Sequence, residues 1–299
     1  MRRIAAILAV ATLATTAAVS AGLPALAAHH GSAAAKFFYV SLGDSLAQGV
    51  QPNSAGTNVE TTAGYPDQLF TALRPGNPLL HLVKLGCPGE TTATMINGGL
   101  CTYKQPSQLA QAVAFLKHHQ HIQLITIDIG ANDLNPCVAL PTLPDIVKCL
   151  NKVIPVALKN LATIMATLRG ATSTPIQIIG MNYYVPQLAF WLKGTPAAKQ
   201  LAQASITLGQ AFGNALAGVY TKFGAQVADV FKAFHTAAFK TMVTLPAFGS
   251  VPKDVAELCS LTWQCVAPPR GPNEHANRVG YAIIANAFLQ VLLTPPTAR

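Results

Sequence analysis

The stretch Phe37-Phe38-Tyr39-Val40-Ser41-Leu42-Gly43-Asp44-Ser45-Leu46 decides how this chain is read. Its first six residues are an almost wholly apolar run, the pattern of a strand buried on both faces of a sheet. Gly43 then lets the backbone turn sharply, and Ser45 stands at the start of the next element. A serine hydroxyl is a weak nucleophile alone; it needs a turn that exposes it and a base within reach. The plain alternative is a serine that caps a helix, so this turn must be weighed with the rest of the chain.

Outward from that turn, short apolar runs alternate with longer amphipathic ones. Strands are expected over 37–42, 80–85, 124–129, 176–179 and 226–230, and helices over 65–73, 109–117, 154–168, 199–223 and 279–293. Alternating strands and helices with continuous apolar strands imply a parallel sheet covered by helices on both faces. Such sheets hold ligands at the carboxyl ends of their strands, so the residues just after each strand are where chemistry belongs. Residues 49–64 and 245–271 read as long loops, and no repeat or linker divides the chain.

The first residues read as an export signal: Arg2 and Arg3, an apolar or small run from Ile4 to Val19, then Ala25-Leu26-Ala27 as a cleavage site. The expected organisation is a signal peptide over 1–27, a flexible lead-in over 28–35 and one domain over 36–299, in a secreted protein. Removing 27 of 299 residues leaves 272, with 18 basic against 11 acidic side chains, a net +7. That surplus favours anionic surfaces at long range. The basic residues are scattered without interleaved aromatics, which argues against nucleic-acid binding. A monomer is the default expectation. Six cysteines remain, and an even count in an exported chain points to disulfides. Fifteen connectivities are open to six cysteines. Pairing in sequence order, Cys87 with Cys101, Cys137 with Cys149 and Cys259 with Cys265, closes short loops between neighbouring elements and is the expectation. No C-x-x-C spacing suggests zinc.

Three further blocks lie where chemistry is expected. Gly86-Cys87-Pro88-Gly89-Glu90-Thr91-Thr92 follows the second strand; a glycine there brings a backbone N–H close to a reacting carbonyl, although an ordinary turn is the preferable reading of Gly86. Gly130-Ala131-Asn132-Asp133 follows the third, where Asn132 offers an amide donor or simply forms a turn. Pro272-Asn273-Glu274-His275 precedes the last helix and carries a histidine that can reach over the strand ends.

Together the four blocks resemble the GDSL, or SGNH, hydrolases, and look most like the secreted actinobacterial lipases and esterases of that group. The resemblance runs from Tyr39 to about Phe288. It implies a three-layer α/β/α sandwich with a mostly parallel, flavodoxin-like sheet, and a hydrolase of carboxylic esters that needs no cofactor or metal. It makes Ser45 the nucleophile, His275 the base, and the N–H groups of Ser45 and Gly89 with the Asn132 amide the oxyanion hole. The segment 261–265, Met181-Asn182-Tyr183-Tyr184 and Val227-Ala228-Asp229-Val230 also look like parts of that branch. One departure matters: the family usually has an aspartate three residues before the histidine, and here that position is Pro272. A Ser–His dyad is therefore expected, the ring N–H donating to the Pro272 carbonyl or a neighbouring acceptor. Glu274 is expected to point elsewhere, and Asp254 is a remote candidate.

Other features have plain readings. His118, His119 and His121 sit at a helix end, where they suit the dipole better than a metal. Asp44, Asp128 and Asp133 are expected to hold loops through backbone N–H groups. Tyr183, Tyr184, Phe190 and Trp191 form an acyl pocket or, more commonly, core. The substrate is an ester of a lipid or of a short or medium acyl chain, with peripheral contact to a lipid surface in view. The rival functions are a polysaccharide acetylesterase and a secreted lipid- or glycan-binding relative without catalysis. No G-x-S-x-G is present, which disfavours the α/β-hydrolase fold.

Overall fold

The computed structural model describes residues 35–172 and 176–294. The expected signal peptide and nearly all of the expected lead-in lie outside these residues. The chain begins with β1 (Phe37–Gly43), α1 (Ser45–Gln48), a short ribbon of β2 (Gln51–Pro52) and β3 (Asn58–Val59), and α2 (Tyr65–Leu73). It continues through β4 (Leu80–Lys84), α3 (Thr92–Asn97), α4 (Gln108–His118), β5 (Ile122–Asp128), α5 (Asn135–Val138) and α6 (Leu143–Gly170). Then come β6 (Gln177–Met181), α7 (Pro196–Lys222), β7 (Gln226–Ala228), α8 (Val230–Ala233), the hairpin of β8 (Met242–Leu245) and β9 (Gly249–Pro252), α9 (Lys253–Leu261) and α10 (Arg278–Leu293).

Five strands form one sheet in the order β4-β1-β5-β6-β7, all neighbours parallel. This is the flavodoxin-like order, whose direction reverses between β1 and β5 and opens a crevice at their carboxyl ends. Alternate residues of each strand feed opposite cores. Tyr39, Leu124 and Ile179 join Tyr65, Leu69, Tyr281, Ile284 and Phe288 of α2 and α10 on one face. Val40, Leu42, Ile125, Ile127 and Ile178 join α4, α6 and α7 on the other. Helices therefore cover both faces, as the alternation of elements implies.

The longest helix differs from its expected span. The sequence pattern predicts a helix over 154–168, whereas α6 starts at Leu143. Thr142 caps it by accepting from the Asp145 N–H at 3.3 Å, and Pro144 occupies its first turn. Pro155 lies inside this helix, where its ring removes one intrahelical bond. The half after Pro155 packs on the sheet through Leu161, Ile164, Met165 and Leu168. The half before it belongs to a separate small cluster with Cys137, Ile146 and Leu150. The expected loop over 245–271 contains β9 and α9, and three disulfides join Cys87–Cys101, Cys137–Cys149 and Cys259–Cys265.

The junction of β1 with α1 admits no side chain at Gly43. Its φ is +135°, and a Cβ there would collide with the Asp128 carbonyl oxygen and carboxyl group. Gly43→Ala is expected to lose about 1–3 kcal/mol from backbone strain alone, with the collision added. Urea denaturation that gives an unchanged midpoint would show that the turn is not constrained in this way.

Candidate active site

Ser45 is the first residue of α1, so its own N–H is among those a helix leaves unpaired. The turn beneath it is held from every side. Gln108 clasps Gly43 in both directions, accepting from its N–H at 2.7 Å and donating to its carbonyl at 2.9 Å. The Cys87 N–H donates to the same carbonyl at 3.0 Å. Asp44 accepts from the Leu46 N–H at 2.9 Å, while its own N–H donates to the Asp128 carbonyl at 3.1 Å. Gly86 is more than a turn residue: its missing Cβ is what lets the loop close on Ala47 and the Asp44 carbonyl.

Asp44 and Asp128 form a buried carboxyl pair under Ser45. Tyr65 donates to Asp128 Oδ1 at 2.5 Å and Tyr183 to Asp44 Oδ2 at 3.3 Å. Burial raises both pKa values, Asp44 to about 6 and Asp128 well above its ordinary value, with the Asp44 charge as a second cause for Asp128. Two carboxylates this close cannot both ionise in an apolar setting, so Asp128 holds the proton and Asp44 the charge. Asp133 accepts from the Thr92 N–H at 2.8 Å and from its hydroxyl at 2.5 Å. All three carboxyl groups thus brace loops.

His275 arrives from the far end of the chain. The Trp263 N–H donates to its carbonyl at 3.0 Å, Tyr184 donates to the Glu274 carbonyl at 2.8 Å, and the Cys259–Cys265 bond ties α9 to the loop. Its ring bridges Ser45 Oγ, 2.9 Å from Nε2, and Asn273 Oδ1, 2.7 Å from Nδ1. Of the two expected acceptors, the Pro272 carbonyl and a neighbour, the ring faces the neighbour, Asn273. Pro272 is exposed, and the side chain of Asn273 folds back as an Asx turn that takes both the backbone N–H of His275, at 3.1 Å, and its ring. Neither Glu274 nor Asp254 accepts from the ring; Asp254 accepts from the Val255 N–H at 2.9 Å.

This geometry sets the tautomer. A backbone N–H only donates, so the Asn273 atom facing it must be oxygen, and Asn273 Nδ2 correspondingly donates to Asn58 Oδ1 at 2.7 Å. The ring nitrogen facing that oxygen must then carry the proton, which leaves Nε2 as an acceptor for the Ser45 hydroxyl. Burial lowers the His275 pKa from the usual 6.5 to about 4, with no carboxylate against the ring to oppose it.

Donors for an oxyanion lie close by. Among the described residues the N–H groups of Ser45 and Gly89 have no intramolecular partner. Asn132 spends one amide hydrogen on the Glu90 carbonyl at 3.0 Å and keeps the other. Ser45, Asn132 and His275 line one cavity. Gly89, at φ +82°, does not line it; it lies in the adjoining loop, one residue before the carbonyl that Asn132 holds.

Asp44, Asn135, Gln187, Ser205 and Glu274 also line that cavity, and the rest of its wall is mostly apolar. Tyr183, Tyr184 and Phe190 line it, whereas Trp191 packs edge-on against Phe239. Leu143, Ile146, Leu150 and Ile154 of α6 and Leu201, Leu208 and Phe212 of α7 extend it. The sequence pattern does not place these helix residues in the site. Their signal is present in the apolar spacing of 143–154, and it is hidden when the helix is begun at the turn of Pro155. His119 stacks on Phe115, and His121 packs at a tilt against Phe37.

The ring state is directly measurable. Nitrogen-15 NMR of His275 is expected to show a neutral imidazole protonated on Nδ1 from neutral pH down to about pH 5, and protonation near pH 4. A ring that titrates near its ordinary 6.5 would overturn this account of its surroundings.

Known proteins share both the sequence pattern and the architecture. Residues 41–249, over two thirds of the chain, match the model of the GDSL-like lipase/acylhydrolase family, with His275 beyond the matched span. No curated protein matches the sequence. Among solved structures, an acetylxylan esterase from Geobacillus stearothermophilus shares 17% identity at a TM-score of 0.52, covering 87% of this chain and 95% of that one. A lipase from a goat rumen metagenome shares 15% at 0.52, covering 85% and 97%. At such identities the likeness concerns the fold: the α/β/α layering and the five-stranded sheet. The block that begins at Ser41 and turns at Gly43-Asp44-Ser45 opens a match carried through β6 and α7 to the β8–β9 hairpin, and by that match the chain belongs to the GDSL-like lipase/acylhydrolase family.

Proposed function

We propose that this protein is an exported serine hydrolase of lipase/esterase type that cleaves carboxylic esters through a Ser45–His275 dyad. The observation that carries the reading is the bridge from Ser45 Oγ through the imidazole to Asn273 Oδ1, at 2.9 and 2.7 Å. In it the nucleophile, the base and the group that orients the base stand in the order that acyl transfer needs. Export is supported by the basic and apolar leader and by cysteines that are all paired, since such bonds persist in oxidising compartments. An apolar wall beside the nucleophile supports acyl chains of fats over acetyl groups of a polysaccharide.

The steps follow from the geometry. The Ser45 hydroxyl gives its proton to Nε2 of His275 while Oγ bonds to the ester carbonyl carbon. Charge then develops on the carbonyl oxygen. The Ser45 N–H, the spare hydrogen of Asn132 and the unpaired Gly89 N–H are the donors proposed to meet it, each worth about 3 kcal/mol in the transition state. The tetrahedral species collapses, and the alcohol departs with the proton from His275. Water, activated by the same nitrogen, then releases the acid and restores Ser45.

Ser45→Ala and His275→Ala are each expected to lower kcat on p-nitrophenyl butyrate at least about a thousandfold, and Ser45→Ala to lose labelling by a fluorophosphonate. Wild-type rates retained in either variant would end the dyad. The base must be neutral to act, so activity is lost as pH falls through the His275 pKa of about 4. Asn273→Asp brings a carboxylate to Nδ1, which favours the imidazolium and should move this acid limb upward by about 1–3 pH units. Asn273→Ala removes the orienting acceptor and should cost about tenfold in kcat. An unmoved limb in the aspartate variant would assign the limb to another group.

A further inference from the structure

The cavity at Ser45 continues into an apolar groove between α6 and α7. Its walls are one face each of α6 and α7: Leu143, Ile146, Leu150 and Ile154 on the first, and Leu201, Ser205, Leu208 and Phe212 on the second. Both sets recur at the spacing of a single helix face. Phe212 marks the inner end, because it packs against Gly130 at the end of β5. Leu143 and Leu201 mark the outer end, eleven residues earlier on each helix. Beyond them a second depression, bounded by Pro144, Lys148, Asn151 and Gln200, begins on the other side of the same two leucines. Leu143 and Leu201 are thus a partition between the groove and the solvent-facing depression.

We propose that this groove is an acyl-chain subsite closed by Leu143 and Leu201, which set the length of the straight acyl chain that the enzyme accepts. The proposal rests on the ester-hydrolase reading above and adds a substrate class to it. Eleven helical residues rise about 16 Å, and an extended chain advances about 1.2 Å per bond. The groove therefore takes roughly a dozen bonds of a linear chain before the partition. The occupant is an unbranched alkyl chain because the walls are hydrocarbon along their length, Ser205 apart, and Ser205 spends its hydroxyl on the Ala202 carbonyl at 2.7 Å. A sugar ring would leave its hydroxyls unpaired there. The outer half of the groove is also braced for a fixed length: the Cys137–Cys149 bond ties α5 to α6 beside Leu150, and Val138 of α5 lines the same wall.

The test reads chain-length profiles within each protein, so that loss of folding does not mimic a change of selectivity. Wild-type kcat/KM is expected to rise from the acetate to the dodecanoate p-nitrophenyl ester and fall at hexadecanoate. The double variant Leu143→Ala, Leu201→Ala opens the partition and should raise the hexadecanoate-to-dodecanoate ratio several-fold. Ser205→Phe plugs the middle and should lower the dodecanoate-to-acetate ratio roughly tenfold or more. A second measurement needs no catalysis. Dodecanoate should displace a fluorescent fatty acid from Ser45→Ala, and more weakly when Ser205→Phe is added. Ester hydrolysis that depends on Ser45 with an acetate optimum and ratios unmoved by these changes would overturn the subsite and leave the hydrolase. Binding of dodecanoate that Ser205→Phe weakens, in a protein whose wild type cleaves no ester, would do the reverse.

Discussion

One hydrogen bond, 2.9 Å between Ser45 Oγ and His275 Nε2, joins residues 230 apart in sequence. Everything around it serves to bring two independent pieces to that distance. Ser45 is placed by the sheet: β1 delivers it, Gln108 and Asp128 clasp the turn, and the loop after β4 closes over Ala47. His275 is placed by the core on one face of that sheet, where Ala276, Tyr281, Ile284 and Phe288 pack together with Tyr65 and Leu69. Tyr281 crosses between the two pieces, its hydroxyl donating to the Val50 carbonyl at 2.8 Å. The site thus depends on α10 docking against α2, not on any local property of the histidine loop.

Much of this is legible in the sequence because strand ends are legible. An apolar run followed by glycine announces the edge of a parallel sheet, and Ser45, Asn132 and the loop of Gly89 all come after such runs. The helix over 65–73 reads to its bounds because Gly64 and Pro66 mark its start. Elsewhere one residue has two readings. Pro155 looks like the first turn of a helix, where proline is at home, yet it lies inside α6 because the preceding half is held by its own cluster and by Cys149. The α9 segment sits in a stretch bounded by prolines, Pro252 before it and Pro268 after it, so it reads as loop until Val255, Leu258 and Leu261 are seen packed on the core.

Asn273 escapes a sequence reading for a different reason. Attention falls on the position three residues before the histidine, where a carboxylate is usual and proline stands. An asparagine two residues before a backbone N–H is also a recognised local geometry, since its side chain reaches forward to that N–H. The pattern Asn273-Glu274-His275 carries the signal, but only the fold shows that the ring turns back onto the same oxygen. Asn58, on the ribbon between β1 and α2, then accepts from the other end of the amide.

Substituting an amide for a carboxylate has an electrostatic consequence. A carboxylate orients the imidazole and also favours its charged form; the Asn273 oxygen supplies orientation with only a dipole to meet the charge. The burial that lowers the His275 pKa to about 4 is therefore left unopposed by any adjacent anion. In the proposed dyad, proton transfer from Ser45 is correspondingly harder, and more of the transition-state stabilisation must come from donors facing the oxyanion. The buried charge that the site does keep is Asp44, beside Ser45 and directed at the Leu46 N–H and the Tyr183 hydroxyl. That charge holds the turn and is engaged there, so the imidazole gains little from it. The proposed dyad dispenses with the usual aspartate because tautomer and orientation, the two properties that geometry alone can supply, are both delivered by one side-chain oxygen.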